Sequence, residues 1–227
     1  MKVELVSYST PSTEMAGNGI TDLQELVAFC ARVSNPANQY NTETSEKLIN
    51  YLIKHKHFSP LEMASVCMSI ETTRDIARQI LRHRSFAFQE FSQRYANPTE
   101  DLGFVVREAR LQDKKNRQNS VELDLTDADQ RELNNLWIEK QQDVIRQVKA
   151  TYDWAIANGI AKEQARAVLP EGNTVSRLYV SGTLRSWIHF CELRSANGTQ
   201  KEHQLVALAC AKAISKIFPM MANNLVA

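Results

Sequence analysis

The sequence predicts a helix-rich fold of mixed α and β structure, and three observations carry that reading. Apolar and polar residues alternate over Lys2 to Ser9 and again at Val66, Met68 and Ile70, the period of a strand with one buried face. Leu133, Trp137, Val144, Val148, Tyr152 and Ala155 recur at helical spacing, the mark of a long amphipathic helix. Finally, 227 residues with 43% hydrophobic and 23% charged side chains are enough to bury a sizeable core.

Each element follows from local signals. After the first strand, Thr21-Asp22-Leu23-Gln24 reads as a capping box opening a helix toward Arg32. A second helix spans Thr44 to His55, and Ser59-Pro60-Leu61-Glu62 is a cap-like turn with proline in its permitted first position. The Val66 strand leads into a helix capped by Thr72 or Thr73, with Ile76, Ile80 and Leu81 on its apolar face. From Asp101 to Ser120 the chain turns polar and basic and reads as a surface loop, either a solvated insertion or an electrostatic guide for an anion. The long helix starts at Thr126 and stops at Asn158-Gly159. A short helix over Gln164 to Leu169 ends before Pro170, Val175 to Val180 forms a strand, Leu184 to Leu193 a helix, and Gln200 to Phe218 the last helix. There is no internal repeat and no linker, so one domain over residues 1–227, with a polar insertion at about 107–120, is expected.

A net charge of +1 argues against a generally basic nucleic-acid-binding surface. The opening MKVELVSYST has no long apolar run, so neither a signal peptide nor a membrane span is expected, and the expected location is the cytoplasm. Cys30, Cys67, Cys191 and Cys210 are scattered, as reduced core thiols would be. His55 and His57 lie close together, but with no cysteine or clear carboxylate partner no metal site is expected.

Chemistry concentrates between Arg74 and Arg107. Arg74, Arg78, Arg82, Arg84, Arg94 and Arg107 crowd this stretch, with Gln89, Glu90, Ser92 and Gln93 among them. Arginine's planar fork suits phosphate or a ring carbonyl. Two positions apart on a helix, Arg82 and Arg84 would point about 200° from each other, so either the helix ends there or they serve different ligands. The alternating Phe86 to Ser92 segment stacks a ring or packs a core edge.

Arg82-His83-Arg84, seven residues, then Ser92-Gln93 resembles the signature of the flavin-dependent thymidylate synthases. Cys30 to Ser34, His57 to Glu62, Arg166 to Pro170, Ser181 to Arg185 and Glu192 to Arg194 resemble further blocks of that family, in the same order. The stretches Lys114 to Ser120 and Ser195 to Gln200 resemble the subgroup found in large DNA viruses and phages.

The resemblance implies a helix-rich α+β domain with a mainly antiparallel sheet. It implies methylation of dUMP to dTMP, with 5,10-methylenetetrahydrofolate as carbon donor and NADPH reducing a bound FAD. It implies a homotetramer with shared active sites, with no membrane or nucleic-acid partner. By position, Ser34, Ser59, Arg82, His83, Arg84, Glu90, Thr183, Leu184, Arg185 and His189 match flavin contacts. Gln79, Arg82, Glu90, Phe91, Ser92, Gln93, Arg94, Arg166 and Arg194 match the dUMP cradle. Arg194 matches the catalytic arginine that favours ionisation of the uracil ring, and Ser92, which lacks a paired base, is given a positioning role. His189 stands where many members carry Asn, Gly198 where some carry His, and Met63 replaces a common His. A second reading, a nucleic-acid-binding module on Arg82, Arg84, Arg94 and the basic loop, predicts steeply salt-dependent binding.

Overall fold

The computed structural model describes residues 1–221; residues 222–227 of the expected domain lie outside it. The elements run β1 (Lys2–Tyr8), α1 (Thr13–Gly17), α2 (Leu23–Ala31), α3 (Ser45–Lys54), a 3-10 turn (Ser59–Met63), β2 (Ser65–Thr73), α4 (Arg74–Ile80), β3 (Ala87–Glu90) and α5 (Pro98–Asp101). There follow β4 (Arg110–Gln112), β5 (Ser120–Glu122), α6 (Ala128–Ala157), α7 (Lys162–Ala165), a 3-10 turn (Arg166–Val168), β6 (Val175–Thr183), α8 (Leu184–Ser195) and α9 (Lys201–Ile214).

The main sheet has the order β1-β2-β6-β3, antiparallel throughout. Its two faces follow the alternation read in the sequence. Val66, Met68 and Ile70 of β2 with Leu178 and Val180 of β6 enter the core, while Glu71 and Arg177, paired in register, form an ion pair at 2.6 Å on the other face. On the core face lie Ile76 and Ile80 of α4, Trp187 and Phe190 of α8, and Val206, Cys210 and Ile214 of α9.

One feature of this topology brings the chemistry together. Strands β2 and β6 are antiparallel neighbours, with Thr73 opposite Val175 and Ser65 opposite Thr183. Each runs directly into a helix, α4 after Thr73 and α8 after Thr183. These helices therefore start at opposite ends of the sheet and return across it. At 1.5 Å per residue they span roughly 10 and 18 Å, together about the ~30 Å length of the strands, so their C-terminal ends meet. There Arg194 donates from Nε to Nε2 of His83 at 2.9 Å.

Several local expectations are revised. The first capping box is formed by Asp22 and Glu25, not by Thr21 and Gln24: Asp22 Oδ1 accepts from Glu25 N at 2.8 Å, and the Glu25 carboxylate reaches back to Asp22 N at 3.2 Å. Thr21 instead donates its own N–H to Glu25 at 2.6 Å. The polar stretch after Asp101 is not simply a loop, because β4 and β5 pair as a hairpin with Leu111 opposite Val121. Two of its basic residues are not free either: Arg107 bonds Asp75 at 2.6 Å and Arg110 bonds Glu202 at 2.7 Å. These partners lie far away in sequence, so no local pattern announces them.

Helix α6 also departs from expectation. Tyr152 and Ala155 are buried, but Leu133, Trp137 and Val144 of the same predicted face are exposed, as are Leu136 and Trp154. What anchors its N-terminal half is polar: Gln141 accepts from Arg107 N at 2.9 Å and donates to Arg107 O at 2.8 Å, and Asn134 accepts from Ala109 N at 2.9 Å.

Candidate active site

The Arg82-His83-Arg84 triplet lies in the turn after α4, which ends at Ile80. The helix stops before the two arginines, so the first of the alternatives for their directions is the one the fold adopts. The turn is held by the core: Phe86 sits 4.6 Å from the Trp187 ring and 5.9 Å from Phe190, and His83 packs edge-on to Phe190 at 5.0 Å. Gly182 is required here, because a Cβ at that position would lie 2.3 Å from the Phe86 ring.

His83 is buried and accepts a hydrogen bond from Arg194 Nε, so its own proton sits on Nδ1. Burial, then the charges of Arg194, His189 and Arg82, pull its ring down to about 4. His203, completely buried on α9, is pulled down to about 4 by burial, then by Arg194 and His83. Burial and the neighbouring Arg82 likewise lower Arg194 from its ordinary value. Arg82, Arg84 and Arg194 have no carboxylate within 4.0 Å among the described residues, so positive charge accumulates around a neutral imidazole. Such an arrangement suits an anionic or electron-rich ligand.

An unfolded chain takes up these two protons near 6.5, the folded protein only near 4. The stability contributed by the neutral rings is therefore present above pH 6.5 and lost as the pH falls toward 4. In a histidine NMR titration the His83 and His203 ring protons should stay flat from about pH 7.5 to about 5, while the free energy of urea unfolding falls over the lower part of that range.

The remaining predicted residues fall into separate groups. Thr183, Arg185 and His189, with Phe58, Glu62 and Ser85, line a recess of about 340 Å³ beside the His83 turn. Thr183 caps α8, its Oγ1 accepting from Ser186 N at 3.4 Å and donating to Glu62 Oε2 at 2.9 Å, while Arg185 pairs with the same carboxylate. Leu184 is buried behind this recess, and Ser59 opens the 3-10 turn that carries Glu62. Ser34 lines a different recess of about 560 Å³, with Arg32, Lys47 and Tyr51. Glu90 is held by Arg78, by Arg74 at 3.8 Å and by Ser176 Oγ at 2.9 Å.

Phe91 donates its N–H to Arg177 O at 2.9 Å, so the chain leaves β3 still tied to β6. Ser92 and Arg94 form a turn in which Arg94 N donates to Ser92 Oγ at 3.4 Å. Gln93 is buried, its Nε2 without a partner among the described residues. Arg94 pairs with Glu163 at 3.5 Å, three positions before Arg166. Among the described residues no hydrogen bond or ion pair joins this Arg94 group to the Arg194–His83 pair.

Gly198 has φ +88, where a side chain is strained, so the position occupied by His in some family members meets a glycine-favouring turn here. Sequence reasoning missed Glu62, Gln200, Glu202 and His203. The spacing of Gln200 and His203, three apart at the start of α9, was the available signal that they share a face.

The family model for thymidylate synthase complementing protein matches residues 19–220. The probable flavin-dependent thymidylate synthase of Paramecium bursaria Chlorella virus 1 is 45% identical over 225 residues, covering 99% of each chain. This chain belongs to the flavin-dependent thymidylate synthase family. The Synechocystis flavin-dependent thymidylate synthase is 44% identical over 226 residues, again covering 99% of both. Among solved structures, the UMP/dUMP methylase PolB of Streptomyces cacaoi bound with 5-Br dUMP superposes with a TM-score of 0.77 at 26% identity, covering 98% of this chain and 93% of that one. Membership of the synthase family agrees with the antiparallel, helix-rich fold and with the Arg82-His83-Arg84 triplet in the turn after α4 and Ser92-Gln93 in the turn after β3.

Burial raises the thiol pKa of Cys191 well above its ordinary value and that of Cys210 likewise, so neither offers a thiolate within this synthase fold.

Proposed function

We propose that the protein is a single-domain enzyme that methylates dUMP to dTMP, with FAD as cofactor, 5,10-methylenetetrahydrofolate as carbon donor and NADPH as reductant. The observation that carries this reading is the 2.9 Å bond between Arg194 and His83, which sets the downstream arginine into the signature triplet. When bound, FAD supplies the hydride chemistry.

This chain's residues bind and polarise. Holding His83 through Nε leaves the Nη groups of Arg194 available to the pyrimidine, where the guanidinium stabilises negative charge developing on the ring. Arg82, beside it, would hold both nucleotide and flavin, and His83 and Arg84 would hold the flavin, with Glu90 near both. Gln79, Phe91, Gln93 and Arg166 complete the nucleotide cradle, in which Ser92 positions the substrate and Arg94 with neighbouring backbone N–H groups holds the phosphate.

Of the residues assigned to the flavin, Thr183, Arg185 and His189 supply the recess beside His83 with a hydroxyl, a guanidinium and an imidazole next to Phe58, a donor set that would suit FAD, while Ser59 and Leu184 lie outside its lining. FAD is larger than that recess, and Ser34 lines another, which supports a site assembled from several subunits. The exposed Leu133, Trp137 and Val144 stripe of α6 supports the same homotetramer. No described helix is long and apolar enough to cross a membrane, and a cytoplasmic enzyme is the reading that accompanies this activity. A nucleic-acid module is not favoured, because Arg107 and Arg110 of the basic stretch are engaged by carboxylates.

Purified protein should show flavin absorbance, elute as a tetramer by light scattering, and form dTMP when supplied with dUMP, the folate and NADPH. Absence of both flavin binding and dUMP-dependent NADPH oxidation would refute the reading.

A further inference from the structure

A largely buried chain of hydrogen bonds links the β4–β5 hairpin to the heart of the site. Arg110 Nη2 donates to Glu202 Oε1 at 2.7 Å and to Oε2 at 2.9 Å. Gln200 Nε2 donates to Glu202 Oε2 at 2.9 Å, and Gln79 Nε2 donates to Gln200 Oε1 at 3.0 Å. Gln79 Oε1 lies 3.1 Å from Nδ1 of His203. His203 is completely buried, and its Nε2 has no partner among the described residues.

The polarity of this chain is set at one end. Burial pushes the Glu202 carboxyl up, but its own backbone N–H, Gln200 and Arg110 outweigh that and hold it below the usual carboxylate range. An ionised carboxylate only accepts, so Gln200 must turn its NH₂ toward Glu202 and its carbonyl toward Gln79. Gln79 must then turn its NH₂ toward Gln200 and its carbonyl toward His203. The imidazole, neutral where it is buried, must donate from Nδ1, leaving Nε2 a bare acceptor. Running the chain the other way would set the Gln200 carbonyl against the Glu202 carboxylate, two acceptors face to face.

We propose that Glu202 is a positioning residue: through Gln200 it fixes which way the Gln79 amide faces and which nitrogen of His203 carries the proton, so that Gln79 meets the nucleotide with its donor and acceptor in set places. The contact between Gln79 and the nucleotide rests on the function proposed above; the polarity of the chain does not. A glutamine free to flip presents either group to a ligand, whereas one held in a single orientation rejects the mismatched partner.

The test is the tautomer of His203, read from the ring ¹⁵N resonances of the full-length protein and assigned with His203→Gln. The wild type should show a pyrrole-like Nδ1 and a pyridine-like Nε2. Glu202→Gln, whose amide accepts or donates, should give the other tautomer or a mixture and raise the KM for dUMP about tenfold while leaving kcat nearly unchanged. Glu202→Asp, still an acceptor, should keep the wild-type tautomer. Arg110→Met should keep it too, because the ion pair is lost but the carboxylate remains.

A pyridine-like Nδ1 in the wild type overturns the proposal, whether or not any variant folds. So does an unchanged tautomer in Glu202→Gln, or in Gln200→Leu, which breaks the middle of the chain. If the tautomer changes while the KM for dUMP does not, the relay stands, and the placement of Gln79 against the nucleotide is what fails.

Discussion

Replacing Arg194 with alanine should lower dTMP formation by about a hundred- to a thousandfold, the loss seen when a donor aimed at developing charge is removed. Arg194→Lys should not restore it, because a lysine ammonium is a point charge without a second fork to face the ring while its first bond holds His83. The fold should survive, since Arg194 lies near another cation, Arg82, and has no carboxylate partner to strand among the described residues. A second signature separates this from a general disturbance. Burial is the largest cause of the depression of the His83 ring and the Arg194 charge the next, so in Arg194→Ala the ring pKa should rise from about 4 toward 6.5. Turnover within about threefold of the wild type would show that the arginine is not part of the chemistry.

Gly182→Ala should be among the most damaging single-methyl changes in the protein. Its Cβ would fall 2.3 and 2.6 Å from two atoms of the Phe86 ring, well inside contact distance. Phe86 cannot simply rotate away, because Trp187 and Phe190 pack against it at 4.6 and 5.9 Å. Overpacking of this kind costs roughly 1–3 kcal/mol. The same ring supports the turn that carries His83, so activity should fall along with stability. Trimming the obstruction should reverse part of this: Gly182→Ala combined with Phe86→Leu should be more stable than the sum of the two single changes predicts. Urea denaturation of the four proteins in the cycle measures the coupling, and strict additivity would show that the clash is relieved elsewhere.

Much of the site was legible in the sequence because its elements obey short-range rules. The alternation of Val66, Met68 and Ile70 gave β2, Thr73 marked the start of α4, and two arginines unable to share one helical face left a helix end or two different ligands as alternatives, of which the helix end at Ile80 is observed. What was not legible depends on partners distant in the chain. The basic stretch around Arg107 and Arg110 looked solvated because Asp75 and Glu202 lie far from it in sequence. The apolar stripe of α6 gave the helix correctly, but periodicity alone cannot tell whether a face meets the same chain or another. For His203 the only signal was its spacing from Gln200, and a lone histidine on an apolar helix face otherwise looks like any other core residue. Its meaning came only with Gln79, more than a hundred positions earlier, at 3.1 Å.

In the function proposed above, Arg194 and the Arg82-His83-Arg84 turn together hold the pyrimidine against the flavin. A crystal structure of the protein with FAD and dUMP bound tests it most directly. The uracil ring should lie within hydrogen-bond reach of the Arg194 guanidinium, with Arg82 between nucleotide and flavin and the phosphate on Ser92 and Arg94. A nucleotide bound away from Arg194, or a flavin that does not touch the triplet, would contradict it.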